Sequence, residues 1–455
     1  MKSDLATSST QGMITKRIVG LAAVTFFVSI AGGLSGPVFP LYAQFRGASY
    51  SQVGAIAASA SVLHALLAFP FGRLADIVGP ELIFLFSAIS VSLSAVIYPI
   101  ARTVAMLALG KTLDSLCLAA FWPAMETAST TGKETAGHSM GIIYTVFPIA
   151  VFLGSSAGGW LAGAFGYQAA FHASLSAGLV AMVGVASGWW VPRTWRQRLG
   201  SLRRGGQGVG YRAIQAAGRA EGCSDRHTKG PADSGAPGYE GCEIRSEARG
   251  PRVYPGARLK LALAAVSCLS YCLIVGLMWT FVPLLADVRG LRVELVGLLV
   301  GMFWVGRVAI SLAAGAVSER AGRGAVIVPA LLVGAAGTAV LAYGQSEPVM
   351  FAGVSMMGLC TGALAPASLS LGSDCVPNEY RGWAMGLCET FCGLGFLVIG
   401  AAGGILGEIY GPSAPFVATA AATAVVAAVF AFFFWGWGRI IGVLQRRKPL
   451  SERAT

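Results

Sequence analysis

Five ionisable side chains stand inside long apolar stretches of this chain: His64, Lys111, Asp114, Arg307 and Glu389. A charge at the centre of an inserted helix costs at least about 2.5 kcal/mol, so each of them needs a partner or a watery cavity. Lys111 and Asp114 are three residues apart, neighbours on one helix face, and can neutralise each other. Arg307 lies about ten residues before the end of its apolar run and Glu389 about nine residues into its own, which puts both roughly 14 to 15 Å deep. Two readings of that pair stay open. It is a structural ion bridge between two helices, or Glu389 is a proton-coupling carboxylate with Arg307 as its charge partner or as a substrate anchor. Desolvation favours a protonated carboxylate and a paired arginine opposes it. His64 reads either as a packed, hydrogen-bonded histidine or as a proton relay.

What must position these residues is a set of membrane helices. The chain has 455 residues, 55% hydrophobic and 12% charged, with a mean hydropathy of +0.67. Those values lie outside the range of soluble globular domains and describe a polytopic membrane protein. Apolar runs of about 20 residues or more read as helices. They fall near 18–44, 50–75, 81–101, 104–129, 136–165 and 167–191, then near 258–287, 292–318, 324–344, 348–374, 380–409 and 412–440. The expected fold class is therefore all-α, with twelve transmembrane helices in two pseudo-symmetric six-helix bundles. The bundles cover 18–192 and 258–440, with a leader at 1–17, a basic flexible linker at 193–257 and a tail at 441–455. The first span is too long for a signal-peptide core and no small-residue cleavage site follows it, so it is expected to be retained.

The net charge of +12 follows topology. Roughly 27 of the 33 Lys and Arg fall in the termini and loops of one side, against about four on the other, as positive-inside asymmetry requires. This places both termini in the cytoplasm and the chain, multi-pass, in the cell membrane; nucleic acid is not an expected partner. The basic start of the linker, Arg193, Arg196, Arg198, Arg203 and Arg204, suits anionic lipid headgroups. The nine cysteines contain no CxxC pair. Cys117, Cys268, Cys272, Cys360, Cys388 and Cys392 lie in apolar runs, where cysteine is a small packing residue. Cys223, His227 and Cys242 share the linker without zinc-ligand spacing, and no metal is expected.

The chain also repeats itself. Gly72-Arg73-Leu74-Ala75-Asp76 with Gly79 reads as a short loop after the second span, and Gly315, Glu319, Arg320, Gly322 and Arg323 stand 243 residues on, after the eighth. Gly47 and Val53-Gly54 return as Gly290 and Val296-Gly297. Later the offset is 245: Gly141 matches Gly386, Gly158-Gly159 matches Gly403-Gly404, and Gly166 matches Gly411. One duplication explains these pairs, and it maps Arg307 onto His64 and Glu389 onto Tyr144. Internally repeated halves place a binding site near the midplane and rock around it.

The paired loops resemble the signature loop of the major facilitator superfamily, which follows the second helix and recurs, weaker, after the eighth. The resemblance covers all but the leader, linker and tail. It implies that Asp76 caps the start of the eleventh helix when the inner gate is closed, since negative charge suits a helix N-terminus. Pro80 and Glu81 stand where basic residues usually follow. Gly110-Lys111-Thr112-Leu113-Asp114 resembles the Arg-x-x-Gln-Gly motif of drug antiporters, with Lys111 at the arginine implicated there in proton transfer. The helix-5 antiporter motif, Gly-x-x-x-Gly-Pro-x-x-Gly-Gly, keeps Gly154, Gly158 and Gly159 but has Ala150 for its first glycine and Ser155 for its proline. In that fold helices 1, 4, 7 and 10 line a cavity, which makes Ser35, Trp122, Tyr271, Trp279 and Thr361 candidate substrate contacts, with Tyr144 added through the repeat.

The function expected is secondary transport of a small organic solute by alternating access, proton-coupled, in motif style closest to the bacterial drug/proton antiporters. Efflux of amphipathic compounds stands ahead of a polar metabolite, a sugar or organic acid. In another class, the alternative is a non-transporting sensor on the same fold. No Gly-x-x-x-x-Gly-Lys-Ser/Thr loop is present to drive transport with ATP. Neither a Ser, His and Asp constellation nor paired catalytic carboxylates point to an enzyme, and no cofactor is expected. The partners expected are a small molecule, protons and the bilayer, with the chain acting as a monomer.

Overall fold

In hydrocarbon every backbone N–H and C=O must be paired within its own segment or in a closed barrel, so long apolar runs become helices. The computed structural model describes residues 2–130, 136–187, 253–254, 257–377 and 381–436, and these belong to one compact unit. Nearly all of the linker, with Cys223, His227 and Cys242, and the tail 441–455 lie outside the described residues.

The helices are α1 (Lys2–Ser35), α2 (Val38–Phe45), α3 (Tyr50–Val78), α4 (Pro80–Ile100), α5 (Val104–Thr130), α6 (Ala136–Phe165) and α7 (Tyr167–Ser187) in the first half. The second half has α8 (Arg258–Val288), α9 (Val293–Ala321), α10 (Gly324–Tyr343), α11 (Glu347–Ser373), α12 (Arg381–Tyr410) and α13 (Ala414–Ala431), the last closing in a π-helical turn, Phe432–Gly436. Among the described residues twelve spans are long and apolar enough to cross a membrane. The first joins α1 and α2, which part at Gly36-Pro37, because proline has no N–H to give and its ring clashes with the preceding turn. The leader differs from expectation in continuing α1 back to Lys2; it contains no proline to stop the helix.

The signature stretch is not the loop expected. α3 runs through it to Val78, and only Gly79, at φ +97°, leaves the helix before Pro80 opens α4. In the second half α9 runs to Ala321 and Gly322, at φ +89°, makes the reversal. A left-handed residue after a helix end is glycine's place, and proline is preorganised for a first helical turn. Among the described residues six glycines have positive φ, and they fall into three pairs related by the repeat: Gly47 and Gly290, Gly79 and Gly322, Gly166 and Gly411. The duplication is thus carried by equivalent chain reversals.

Two six-helix bundles result, meeting along two seams in which α3 packs on α12 and α6 on α9. Both seams are glycine crossings of the kind that lets backbones approach closely. A Cβ at Gly54 of α3 would stand 2.3 Å from the Gly400 carbonyl of α12, and one at Gly297 of α9 would stand 2.4 Å from the Ser155 carbonyl of α6. Gly404 and Gly159 complete the two crossings at repeat-equivalent places. These contacts lie at the ends of the helices away from the side where α1 begins and α13 ends. On that opposite side Glu408 of α12 also accepts the Ser51 N–H at 3.0 Å, setting a carboxylate on the first turn of α3. Tyr50 stacks on Phe281 of α8 with ring centres 6.2 Å apart. On the terminal side the equivalent helices separate: Gly141, Gly315 and Gly386 each have nothing within 4 Å of where a Cβ would stand. The crossings close the opposite side, and on the terminal side these three glycines face open space.

Candidate functional site

Where the seams open, helix periodicity sets four side chains at one level. Eleven residues return a helix to nearly the same face. Glu389 lies eleven residues before Gly400 and Tyr144 eleven before Ser155, so both stand on the seam-facing stripes of α12 and α6. Ala65, which touches the position of a Gly393 Cβ, marks the same level on α3, and His64 is its neighbour. Arg307 holds the matching place on α9.

Arg307 is held by rings. Its guanidinium carbon lies 5.5 Å from the centre of the Tyr271 ring of α8 and 5.4 Å from that of Trp304 on its own helix. A cation over an aromatic face is stabilised by the ring quadrupole, most where water is scarce. Trp304 is 3% exposed, and its indole N–H has no hydrogen-bond partner. From Trp304 a chain of rings continues both ways: to Trp279 at 5.8 Å and, across the seam, to Phe147 at 5.2 Å. Phe147 meets Trp122 at 4.9 Å, and Trp122 meets Tyr144 at 5.8 Å. Trp122, Tyr271 and Trp279 are each half-buried, and Tyr144 is 51% exposed although it lies within a span. Trp279 has its place because Gly36, at the break between α1 and α2, leaves room: a Cβ there would overlap the indole at 2.2 Å.

Glu389 and Arg307 both lie within electrostatic reach of the Tyr271 phenol, and Glu389 also of Cys272. His64 and Arg307 likewise both act on Cys392. The thiols of Cys268 and Cys272 on α8 meet those of Cys388 and Cys392 on α12 within hydrogen-bonding reach, a packed seam inside the second bundle. Among the described residues no group of His, Cys, Asp or Glu is arranged to hold a metal ion.

Lys111 and Asp114 stand apart from this cluster. Their charged groups are 3.5 Å apart, and the Asp114 carboxylate also accepts from Ser94 at 2.5 Å and Tyr98 at 2.6 Å, both on α4. Lys111 lies 5.1 Å from the Phe39 ring centre. Every oxygen of the acid is engaged within the first bundle, as a structural charge requires.

The remaining candidates are placed as follows. Gly154 and Gly158 abut the α1 backbone at Ile30 and Leu34, and Gly159 makes the α6·α9 crossing, so all three helix-5 glycines serve close packing. Ser35 and Thr361 are 2% and 0% exposed, with hydroxyls bonded to carbonyls of their own helices. Gly72 faces Pro123 of α5, and Arg73 covers the Phe69 ring at 4.6 Å. The Asp76 side chain lies outside the described residues, whereas Glu319 and Arg320 are exposed. Arg323 donates to Asp374 and to Ser318, each at 3.0 Å, beside Cys375, whose thiol burial pushes up. Trp304 and Phe147, the centre of the ring chain, were not singled out by the sequence, because an aromatic inside an apolar run carries no signal until its neighbours are known.

Comparison with known proteins gives the following. The Major Facilitator Superfamily matches over residues 21–292 and 263–449. An uncharacterized MFS-type transporter of Methanocaldococcus jannaschii is 24% identical over 174 residues, 38% of this chain and 45% of that protein. The niacin transporter NiaP of Acinetobacter baylyi is 30% identical over 102 residues, 22% of this chain and 23% of that protein. The chain thus spans less than half the length of either relative. Among solved structures, the nucleoside transporter NupG superposes with a TM-score of 0.65 at 13% identity, covering 92% of this chain and 99% of that one. A point mutant of NupG gives 0.69 at 11% identity, covering 92% and 100%. Similarity at that identity shows the fold.

Proposed function

We propose a proton-coupled transport cycle for this chain, which belongs to the Major Facilitator Superfamily and is a multi-pass membrane transporter of a small solute rather than an enzyme. In this cycle the bundles rock about the two seams. The form described has the opposite side shut, and charge asymmetry assigns its open, terminal side to the cytoplasm. The solute pathway lies within one chain, so a monomer suffices.

One observation carries the coupling: Glu389 stands on the seam stripe of α12 where packing ends, at the level of Arg307 on α9. Adding or removing its proton changes the charge beside Arg307, with His64 on α3 among the other titratable groups of the cluster. A proton drives a conformational change only through such a differential interaction. Lys111 and Asp114 are assigned to the stability of the first bundle.

Between the two solute classes, a small polar or ionised metabolite has more support than amphipathic efflux. The three helix-5 glycines find full employment in packing, and a fixed guanidinium repels lipophilic cations. The niacin transporter among the relatives bears a name of the same kind. The test is thermal stabilisation of the purified protein by nicotinate, uridine, glucose and tetraphenylphosphonium, since selective binding to the native state raises apparent stability. Any stabilising solute is then added to proteoliposomes loaded with a pH dye. The expected result is solute movement accompanied by a pH change. Solute movement without one contradicts proton coupling, and a bound solute that never crosses favours the sensor.

A further inference from the structure

Resting on the transport reading above, we propose that the solute is a planar aromatic monocarboxylate, bound with its ring among the aromatic side chains and its carboxylate on Arg307. The geometry names each part of that description. Arg307 offers a planar fork of N–H donors, already oriented by Tyr271 and Trp304 at 5.5 and 5.4 Å, and such a fork matches a carboxylate bidentately. The Trp304 indole N–H is buried and without a partner. A buried donor left unmade is unfavourable, and a ligand acceptor resolves it. Trp304 and Arg307 stand three residues apart on one face of α9, and the proposal has one carboxylate take donors from both.

The rest of the ligand meets π-faces. Trp122, Tyr271 and Trp279 are half-buried; the ring chain from Trp122 through Phe147 and Trp304 to Trp279 crosses from one bundle to the other, and Tyr271 joins it through Arg307. A flat ring fills such a space by stacking on aromatic side chains. A sugar has neither a flat π-face to stack nor an anionic group for Arg307. An organic cation would face Arg307.

Charge balance follows from the site. The titratable groups around Arg307 are Tyr271 and Cys272 on α8, Glu389 and Cys392 on α12, and His64 on α3. With Glu389 protonated, the Arg307 charge is left for the solute carboxylate, so one proton and one monoanion enter together and the step is electroneutral.

The experiment is equilibrium binding of radiolabelled benzoate to the purified full chain, with benzamide, cyclohexanecarboxylate and tetraphenylphosphonium as competitors. Benzoate is expected to bind about tenfold or more tighter than benzamide, which lacks the charge, and tighter than cyclohexanecarboxylate, which lacks the flat ring. Arg307→Gln is expected to abolish the preference for benzoate over benzamide, and Arg307→Lys to weaken it. Trp304→Phe, which keeps the ring and removes the N–H, is expected to weaken benzoate by about two- to tenfold. Each variant is compared at equal monodispersity by size exclusion, and Trp304→Phe serves where Arg307→Gln fails to fold. Equal affinity for benzoate and benzamide, tighter binding of the lipophilic cation, or full benzoate affinity in Trp304→Phe together with Arg307→Lys would overturn the proposal. Counterflow with uridine or glucose in proteoliposomes separates the two readings: if either moves while benzoate does not bind, transport stands and this solute class falls.

Discussion

Asp114 and Glu389 are both acids inside membrane helices, and their surroundings give them different tasks. Asp114 is tied by Lys111, Ser94 and Tyr98, so Asp114→Asn should lower stability by on the order of 1–3 kcal/mol, the penalty for leaving a buried partner unsatisfied. Thermal unfolding of Asp114→Asn, Lys111→Met and the double variant measures this; the double variant should be more stable than the sum of the single losses predicts. The i,i+3 contact was legible in the sequence. The Ser94 and Tyr98 bonds were not, since they cross from another helix. The same holds for Trp304 and Phe147, whereas Arg307 and Glu389 were visible because charge in an apolar run needs an explanation of its own. At Glu389 the sign of the pH effect is fixed by the charge balance. The protonated acid accompanies the bound anion, so over the range in which benzoate itself stays ionised its affinity should rise as pH falls and drop as Glu389 loses its proton, while Glu389→Gln should bind with little pH dependence.

The helices meet by glycine, and the repeat made those glycines readable before their contacts were known. Gly54 with Gly404 and Gly297 with Gly159 are the same crossing twice. Overpacking a close contact costs about 1–3 kcal/mol. Gly54→Leu combined with Gly297→Leu should therefore force the shut side apart and shift the population about tenfold or more toward the form open there. Labelling of a cysteine at Ser156, half-buried beneath the α6·α9 crossing, by an impermeant maleimide added from that side should rise with the pair of substitutions. Unchanged labelling would mean that the glycine crossings do not hold the gate. What the sequence misjudged at this scale was the signature stretch, read as a loop on its glycines and acid. Those residues sit on a helix face, and the reversal needs only Gly79 or Gly322.

At the scale of the molecule, duplication supplies two nearly equivalent seams, and function needs the equivalence to be broken. The chain breaks it in charge: His64 and Tyr144 in one half answer to Arg307 and Glu389 in the other. Arg307 and Glu389 both sit in the second bundle, so a proton and a solute act on one bundle while the other supplies aromatic surface across the seam. Coupling then resides in which side can shut around an occupied, neutralised pair. The most direct test is uptake of a bound solute into proteoliposomes by wild type and Glu389→Gln, driven either by a pH gradient or by solute exchange alone. The account predicts that the variant retains exchange and loses gradient-driven accumulation. Accumulation by Glu389→Gln at the wild-type level would contradict it.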